Sequence, residues 1–351
     1  MVQTNLHSQK DSHNPMKKIF LKLTLVAAFC SQSWFICPNL QANDVRSQDA
    51  AMAKKALTNI KRVVFLGDSI TQSGDYVVDI DCWLLAHGIH TEILNLGLGS
   101  ETATELSQEE NAGHVKAHKF GRPCISERLD RVLKMTHPDL LFVCYGMNDG
   151  GSLPSDTPGL ARFSEAITRL RETALQSGVQ KVVLCTPPVH DAKGKTEQEL
   201  QDKNLTSYTD WLNSKKADGW EVIDFHTPMR KTLDAGRAAD PTFALAKDGT
   251  HPNREGHWLM AKEILQGYFG AQPIANSKSE DVFLSHGDQI RPLVRERLNL
   301  RFNAWMTRIR HTRPGVPGGP AQPESIDDAT FTTQLREIDQ KILGLLNSNI
   351  E

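Results

Sequence analysis

The fold is decided by the stretch RVVFLGDSIT at residues 62–71. Its four consecutive apolar residues, 63–66, predict a buried central strand of a parallel sheet. Gly67 then permits a tight turn, and Asp68 and Ser69 are residue types that open helices. A serine on a strand-to-helix turn faces the crevice where open α/β sheets bind ligands. Taken alone, the turn supports helix capping and catalysis by Ser69 equally.

Strands and helices alternate along the chain after this stretch. Apolar runs predict four further strands, at 91–96, 140–145, 181–186 and 221–225. The alternation predicts an α/β domain over residues 60–270, a three-layer α/β/α arrangement with a flavodoxin-like parallel sheet. Residues 271–351 are predicted to form a linker and a helical C-terminal extension, with helices at 291–310 and 331–346. We expect the extension to pack on the main domain, with a partner-binding hairpin as the alternative.

Four polar or amphipathic segments carry weaker predictions. We expect residues 43–59 to be a linker, or a short helix leading into the domain. Residues 79–87 have an amphipathic helical pattern, and 105–122 are predicted to be a long polar loop. The charged segment 191–205 is predicted to be a solvated loop or helix over the top of the sheet.

The N-terminus, residues 1–42, has the pattern of a signal peptide. Lys17 and Lys18 precede an apolar run, and a small-residue cleavage site ends at Ala42. We therefore expect export to the periplasm or the extracellular space after cleavage. A retained membrane anchor is the alternative, but the run is shorter than the roughly 18–20 apolar residues that a span requires.

Charge and cysteine content exclude several classes of function. The net charge of −2 argues against a nucleic-acid-binding protein. Four cysteines follow the predicted cleavage site, and their spacing resembles neither a zinc site nor a disulfide framework. Cys144 and Cys185 fall in strand-like runs and are predicted to be buried, while one disulfide bridge remains open.

A candidate acid–base pair lies late in the predicted domain. Serine is a weak nucleophile and needs an adjacent base, for which His251 is the candidate. Asp248, three residues earlier, is suited to hold the imidazole through its Nδ1–H and to stabilise the imidazolium. An isolated Asp-x-x-His is more often an ordinary surface loop, so this pair needs support from other segments.

Two further strand ends offer hydrogen-bond donors for an oxyanion. Asn148 follows the strand at 140–145, where its amide can share a crevice with Ser69. The loop at 97–100 can supply a backbone N–H. Asparagine and glycine after a strand are also common turn formers, so either segment alone is weak.

Together the four segments resemble the SGNH (GDSL-like) hydrolase family. They are Gly-Asp-Ser at 67–69, the loop at 97–100, Gly-x-Asn-Asp at 146–149 and Asp-x-x-His-Pro at 248–252. The resemblance implies Ser69 as nucleophile, His251 as general base and acid, and Asp248 as its orienting partner. It also implies an oxyanion hole made by the Ser69 N–H, Asn148 Nδ2 and a backbone N–H of the second segment.

One departure from the family pattern affects that second segment. The family's Asn-x-x-x-x-Gly spacing, counted from Asn95, places its glycine at Ser100, whereas Gly99 lies one residue earlier. A backbone N–H survives a change from Gly to Ser. The sequence leaves open whether Ser100 or Gly99 donates to the oxyanion.

The resemblance implies a serine esterase that needs no cofactor or metal. The expected substrate is a short-chain or carbohydrate ester, acetyl esters in particular, with no nucleic-acid partner. A lysophospholipase-like or thioesterase-like acylhydrolase is the alternative enzyme. A catalytically inactive ligand-binding relative is the alternative from another class.

Several other residues have both a functional and a plainer interpretation. His114 and His118 have the spacing of a helical metal pair, but we expect them in a loop without metal. His257 is predicted to lie on a helix surface, and Asn204 begins a glycosylation sequon. Trp211 and Trp220 suit a sugar-stacking rim, although packing in the core or an interface is favoured.

Overall fold

The computed structural model describes residues 38–150, 157–191, 196–272, 287–322 and 327–348. Most of the predicted signal peptide, residues 1–37, lies outside these residues. No helix in the described ranges has both the length and the apolar character needed to cross a membrane.

Five strands form one parallel sheet in the order β2-β1-β3-β4-β5, as the flavodoxin-like prediction requires. Each strand overlaps a predicted strand and extends at most one residue beyond it at either end. The strands are β1 Arg62–Gly67, β2 Glu92–Asn95, β3 Leu140–Cys144, β4 Lys181–Cys185 and β5 Glu221–Ile223. β1 pairs with both β2 and β3, so its buried run lies inside the sheet. The carboxyl end of β1, and with it Ser69, therefore lies beside the switch in strand order.

Helices flank the sheet and confirm the predicted α/β class. One group, α3, α10 and α11, packs together, and α7 and α8 pack together beside β4. The helices are α1 Pro38–Ala56, α2 Ser69–Ser73, α3 Asp75–Ala86, α4 Gln108–His118, α5 Leu129–Thr136, α6 Met147–Gly150, α7 Thr157–Gln176, α8 Thr196–Ser214, α9 His226–Ala239, α10 Arg254–Gly267, α11 Gly287–Ile309 and α12 Asp328–Asn347. Short 3₁₀ turns occupy Ile125–Glu127 and Lys215–Asp218.

The C-terminal extension packs on the main domain, as predicted. Residues 43–351 form one compact unit, and α11 contacts both α3 and the edge strand β2. Arg297 on α11 donates to the buried Asp81 carboxylate over 2.8 Å, and Arg291 donates to Asp79 over 3.0 Å. Because α10 and α11 both pack against α3, the helix predicted to be amphipathic is buried on all its faces.

Two polar segments are helical. α1 covers most of residues 43–59, for which a short helix was one of the two predictions, and buries Ala53. The predicted loop at 105–122 contains α4, which begins with a capping box between Ser107 and Glu110. The prediction of a loop was wrong because it weighed Gly113 and a weak apolar pattern, whereas reciprocal side-chain caps stabilise the first turn.

The described cysteines after the predicted cleavage site are all free thiols. Cys144 and Cys185 are buried in neighbouring strands, as predicted, and Cys82 is buried in α3. Cys124 is partly exposed. No disulfide bridge joins these four residues.

Candidate active site

The strand-to-helix turn holds Ser69 at the carboxyl end of β1. The Asp68 side chain caps α2 by accepting the Ile70 N–H over 2.9 Å. A Cβ on Gly67 would lie 2.2 Å from Thr71 Oγ1 and 2.6 Å from the Cys144 carbonyl, so only glycine fits there. Burial raises the pKa of Asp68 to about 7.

The three residues of the predicted catalytic triad are in hydrogen-bond contact. His251 Nδ1 lies 2.7 Å from Asp248 Oδ2, and His251 Nε2 lies 2.9 Å from Ser69 Oγ. Since a carboxylate only accepts, Nδ1 carries a proton, and in the neutral imidazole Nε2 then accepts from the Ser69 hydroxyl. In this tautomer the imidazole is ready to take the proton of Ser69.

The loop between α9 and α10 places Asp248 and His251 by local hydrogen bonds. Asp248 Oδ1 accepts the backbone N–H of Thr250 over 2.9 Å and that of His251 over 2.8 Å. Partial burial raises the pKa of Asp248, but these hydrogen bonds and that of the imidazole outweigh it and lower the pKa to about 2. The carboxylate therefore stays ionised beside the imidazole at neutral pH.

Of the two candidate donors in the second segment, only one has a free N–H. The Gly99 N–H donates to Gln72 Oε1 over 2.6 Å. Within the described residues, the N–H groups of Ser69 and Ser100 have no protein acceptor. Ser100 has φ of +68°, the left-handed conformation that favours glycine, at the position where the family pattern places its glycine.

The Asn148 side chain is held in one orientation. Arg122 Nη1 donates to Asn148 Oδ1 over 2.6 Å, and Asn148 Nδ2 donates to the Glu101 carbonyl over 2.9 Å. Because its oxygen faces the guanidinium, the amide nitrogen faces the second segment. Asn148 is 8% exposed, so this orientation is fixed within the protein.

A buried ion pair supports the loop at 97–100. Glu101 and Arg128, both fully buried, pair over 2.7 Å, and Arg128 also donates to the Leu96 carbonyl over 2.8 Å. The Tyr145 hydroxyl donates to Glu101 over 2.6 Å. The ends of the loop at 96–101 are thereby tied to one guanidinium, which fixes the backbone that carries Ser100.

Two predictions about histidines were wrong. His114 and His118 lie on α4 rather than in a loop, but the described residues contain no group of three His, Cys, Asp or Glu suited to a metal. His257 is buried in α10 rather than exposed, where it donates to Ser73 Oγ over 3.1 Å and stacks on Tyr76. Its position follows from the packing of α10 against α3, which a single-sequence pattern does not show.

The asparagine of the glycosylation sequon and the two tryptophans have structural roles. Asn204 is buried in α8 and donates to the Gly150 carbonyl over 2.7 Å, so the sequon is inaccessible in the folded chain. Trp211 and Trp220 pack edge to face at 5.9 Å against the hydrophobic core. Trp220 directly precedes β5, an edge strand of the sheet, and so lies at the amino end of the strands. Ser69 follows the carboxyl end of β1. These positions favour the packing interpretation over a sugar-stacking rim.

Comparison with protein families adds to this geometry. The model of the GDSL-like Lipase/Acylhydrolase family matches residues 65–259, more than half of the chain. The chain belongs to this family. The matched region includes all four segments named above, whereas the C-terminal extension lies outside it.

Solved structures similar to this GDSL-like chain are distant in sequence. One is a gut microbial diltiazem-metabolizing enzyme, with 23% identity, a TM-score of 0.47, and coverage of 59% of this chain and 46% of that one. Another is an acetylxylan esterase from Geobacillus stearothermophilus, with 18% identity, a TM-score of 0.44, and coverage of 62% of this chain and 97% of that one. The chain thus spans less than half the length of the first. No curated protein matches the chain.

Sequence reasoning missed the residues that hold the candidate oxyanion donors of this GDSL-like site. Gln72, Glu101, Arg122 and Arg128 each lie outside a recognised motif, and Arg313 lies in the C-terminal extension. Arg313 Nε donates to the Gly99 carbonyl over 3.0 Å. No local spacing links these positions, so only the folded chain brings them together.

Proposed function

We propose that this member of the GDSL-like Lipase/Acylhydrolase family is a serine hydrolase that cleaves oxygen esters through an acyl-enzyme. The observation that carries the proposal is the hydrogen-bonded series Asp248–His251–Ser69, with separations of 2.7 and 2.9 Å. An activated serine needs this order of carboxylate, imidazole and hydroxyl.

The proposed reaction has two symmetrical halves. Ser69 Oγ attacks the ester carbonyl while His251 Nε2 takes its proton, and the imidazolium then gives that proton to the departing alcohol. Water attacks the acyl-enzyme in the same way and releases the acid and Ser69. The N–H groups of Ser69 and Ser100, with Asn148 Nδ2, would stabilise the negative oxygen of each tetrahedral intermediate.

Ser100 rather than Gly99 is the proposed donor of the second segment. The Gly99 N–H is already engaged by Gln72, whereas the Ser100 N–H is free among the described residues. We propose a short-chain ester, such as an acetyl ester of a small or carbohydrate alcohol, as the substrate class.

The test compares hydrolysis of p-nitrophenyl acetate, butyrate and octanoate by the wild type, Ser69→Ala and Ser73→Ala. Ser73 is a matched control because it lies on the same short helix and also contacts a histidine, His257, over 3.1 Å. We expect Ser69→Ala to lose about 10⁵- to 10⁶-fold in kcat and to lose fluorophosphonate labelling, whereas Ser73→Ala keeps both. Equal rates in wild type and Ser69→Ala would contradict the assignment of the nucleophile.

One observation favours a second candidate, a longer-chain acylhydrolase. A groove of about 610 Å³ runs along α4, lined in part by Leu106, Ala112 and Val115. Asn111, which also lines it, accepts the Arg122 backbone N–H over 2.8 Å, and Arg122 contacts Asn148. Faster cleavage of octanoate than of acetate, reversed by Val115→Glu, would support this candidate.

Export of the chain is also a proposal. A cut after Ala42 would leave residues 43–56 of α1, whose Ala53 is buried. N-terminal sequencing of the protein from a bacterial host should give Asn43 as the first residue of the exported form. An intact N-terminus on protein kept inside the cell would contradict it.

A further inference from the structure

Two arginines contact the loops that carry the proposed oxyanion donors. Arg122 Nη1 donates to Asn148 Oδ1 over 2.6 Å, and Arg313 Nε donates to the Gly99 carbonyl over 3.0 Å. These segments flank Ser100 and Asn148, so both guanidinium groups lie at the same edge of the site. One comes from the segment after α4 and the other from the C-terminal extension.

Neither arginine forms an ion pair with a carboxylate in the described part of the chain. The contrast with Arg128 and Arg297 is direct, since each of these buried guanidinium groups pairs with a carboxylate over 2.7–2.8 Å. Arg122 is half-buried, and its Nε is a buried donor without an acceptor in the described residues. A charge that is partly withdrawn from water without a counterion is costly to keep.

The acidic groups that face Arg122 compensate this charge poorly. Burial lowers the pKa of Arg122, while the Asp149 and Asp68 carboxyls oppose that shift. Burial also raises the pKa of both carboxyls, that of Asp68 to about 7. Burial lowers the pKa of Arg313 as well.

A buried histidine lies beside the two arginines. His114 is 8% exposed, and both its ring nitrogens lack an acceptor or donor in the described residues. Its ring lies 4.9 Å from that of Phe120, and Arg313 Cζ lies 4.8 Å from the same Phe120 ring. Burial, followed by the charges of Arg122, His118 and Arg313, lowers the pKa of His114 to about 4, so it is neutral and offers one ring N–H.

We propose that Arg122 and Arg313 bind an anionic group of the ester substrate, a carboxylate, sulfate or phosphate, beside the scissile bond. The inference rests on the proposed ester hydrolysis and specifies its substrate class. A guanidinium presents planar pairs of donors that match these oxyanions. The ligand supplies the counterion that the described chain lacks, and the His114 N–H offers it a further neutral donor.

The test uses two matched pairs of rigid esters that differ in one charge. 4-Acetoxybenzoate and 4-acetoxybenzamide differ on the alcohol side, and phenyl hydrogen terephthalate and phenyl 4-carbamoylbenzoate differ on the acyl side. The measured quantity is the ratio of kcat/KM for the charged ester to that for its neutral partner. We expect wild type to prefer the charged member of one pair, and the pair concerned shows which side of the substrate carries the anion.

Variants separate recognition from mere support of the loops. In Arg122→Gln and Arg313→Gln the ratio should fall by about 10- to 100-fold, the loss of one charged hydrogen bond. Arg313→Lys should keep part of the preference, and Arg169→Gln, which removes an exposed charge on α7, should keep all of it. The wild-type preference should also decrease with ionic strength.

Each outcome has one interpretation. Equal loss on charged and neutral esters would overturn the proposal, because the arginines would then only support the loops. Equal wild-type rates within both pairs, together with no stronger competitive inhibition of acetate hydrolysis by benzoate than by benzamide, would also overturn it, even if a variant fails to fold. Absence of cleavage of all four esters and of p-nitrophenyl acetate would instead contradict the proposed hydrolase function.

Discussion

The two sides of the candidate site are built differently. On the acid–base side, Asp248 and His251 lie three residues apart in one loop, and their side chains are 57% and 51% exposed. On the oxyanion side, Asn148, Glu101 and Arg128 are buried and joined to segments from distant parts of the chain. The acid–base side is therefore chemically local, whereas the oxyanion side depends on the whole fold.

The largest expected effect is loss of activity without loss of stability on the acid–base side. His251→Ala should lower kcat/KM for p-nitrophenyl acetate by about 10⁵- to 10⁶-fold, as removing a triad base does. Its free energy of unfolding should stay near that of wild type because the side chain is exposed. His90→Ala, another exposed histidine, is the control and should keep full activity.

The opposite result is expected on the oxyanion side. Glu101→Gln leaves the Arg128 charge buried without its partner, which should lower the free energy of unfolding by about 3–5 kcal/mol. Asp248→Asn, on the exposed side, should change it by less than about 1 kcal/mol. Chemical denaturation measures both, and equal losses would remove the distinction between the two sides.

Asn148→Ala should lower kcat by about 10²- to 10³-fold, the usual loss for one oxyanion donor. A change confined to KM would show that the amide binds substrate without stabilising the transition state. Ser69→Ala provides the background rate from which the residual activity is read.

The oxyanion side should also lose stability in mild acid. His311 donates from Nε2 to the Pro317 carbonyl over 2.9 Å and accepts the Arg313 N–H at Nδ1 over 3.2 Å. Burial lowers its pKa from 6.5 to about 4, so the unfolded chain takes up the proton first. Its contribution to stability is complete above pH 6.5 and is lost as the pH falls toward 4.

Denaturation curves at pH 7 and pH 5 test this, with His311→Gln as the comparison. The difference in unfolding free energy between the two pH values should be smaller in the variant. An unchanged difference would assign the acid sensitivity to other groups, such as the buried His257, whose pKa burial also lowers to about 4.

The smallest effect is expected at Ser100. Ser100→Gly removes a side chain from a left-handed position and should stabilise the protein by about 1 kcal/mol or less, while activity remains. A large loss of kcat in this variant would mean that the Ser100 hydroxyl has a role of its own.

The difference between the two sides also explains what the sequence could predict. Apolar runs such as 63–66 locate the strands because a central parallel strand is buried on both faces. Asp248 and His251 were recognised because their short spacing permits contact and because they occur with three other segments of the family pattern. Arg122 and Arg313 were not, since their relation to Asn148 and Gly99 arises from tertiary packing.

The C-terminal extension reaches the site, yet the family match ends at residue 259. Joining residues 65–259 alone to another protein would transfer Ser69, Asp248 and His251 with their motifs intact. It would also leave Asp81 without Arg297 and the Gly99 carbonyl without Arg313. The segment that is recognisable as a module is thus shorter than the segment that can be exchanged as one. Recombination in evolution or in the laboratory has to carry the family domain and the C-terminal extension together.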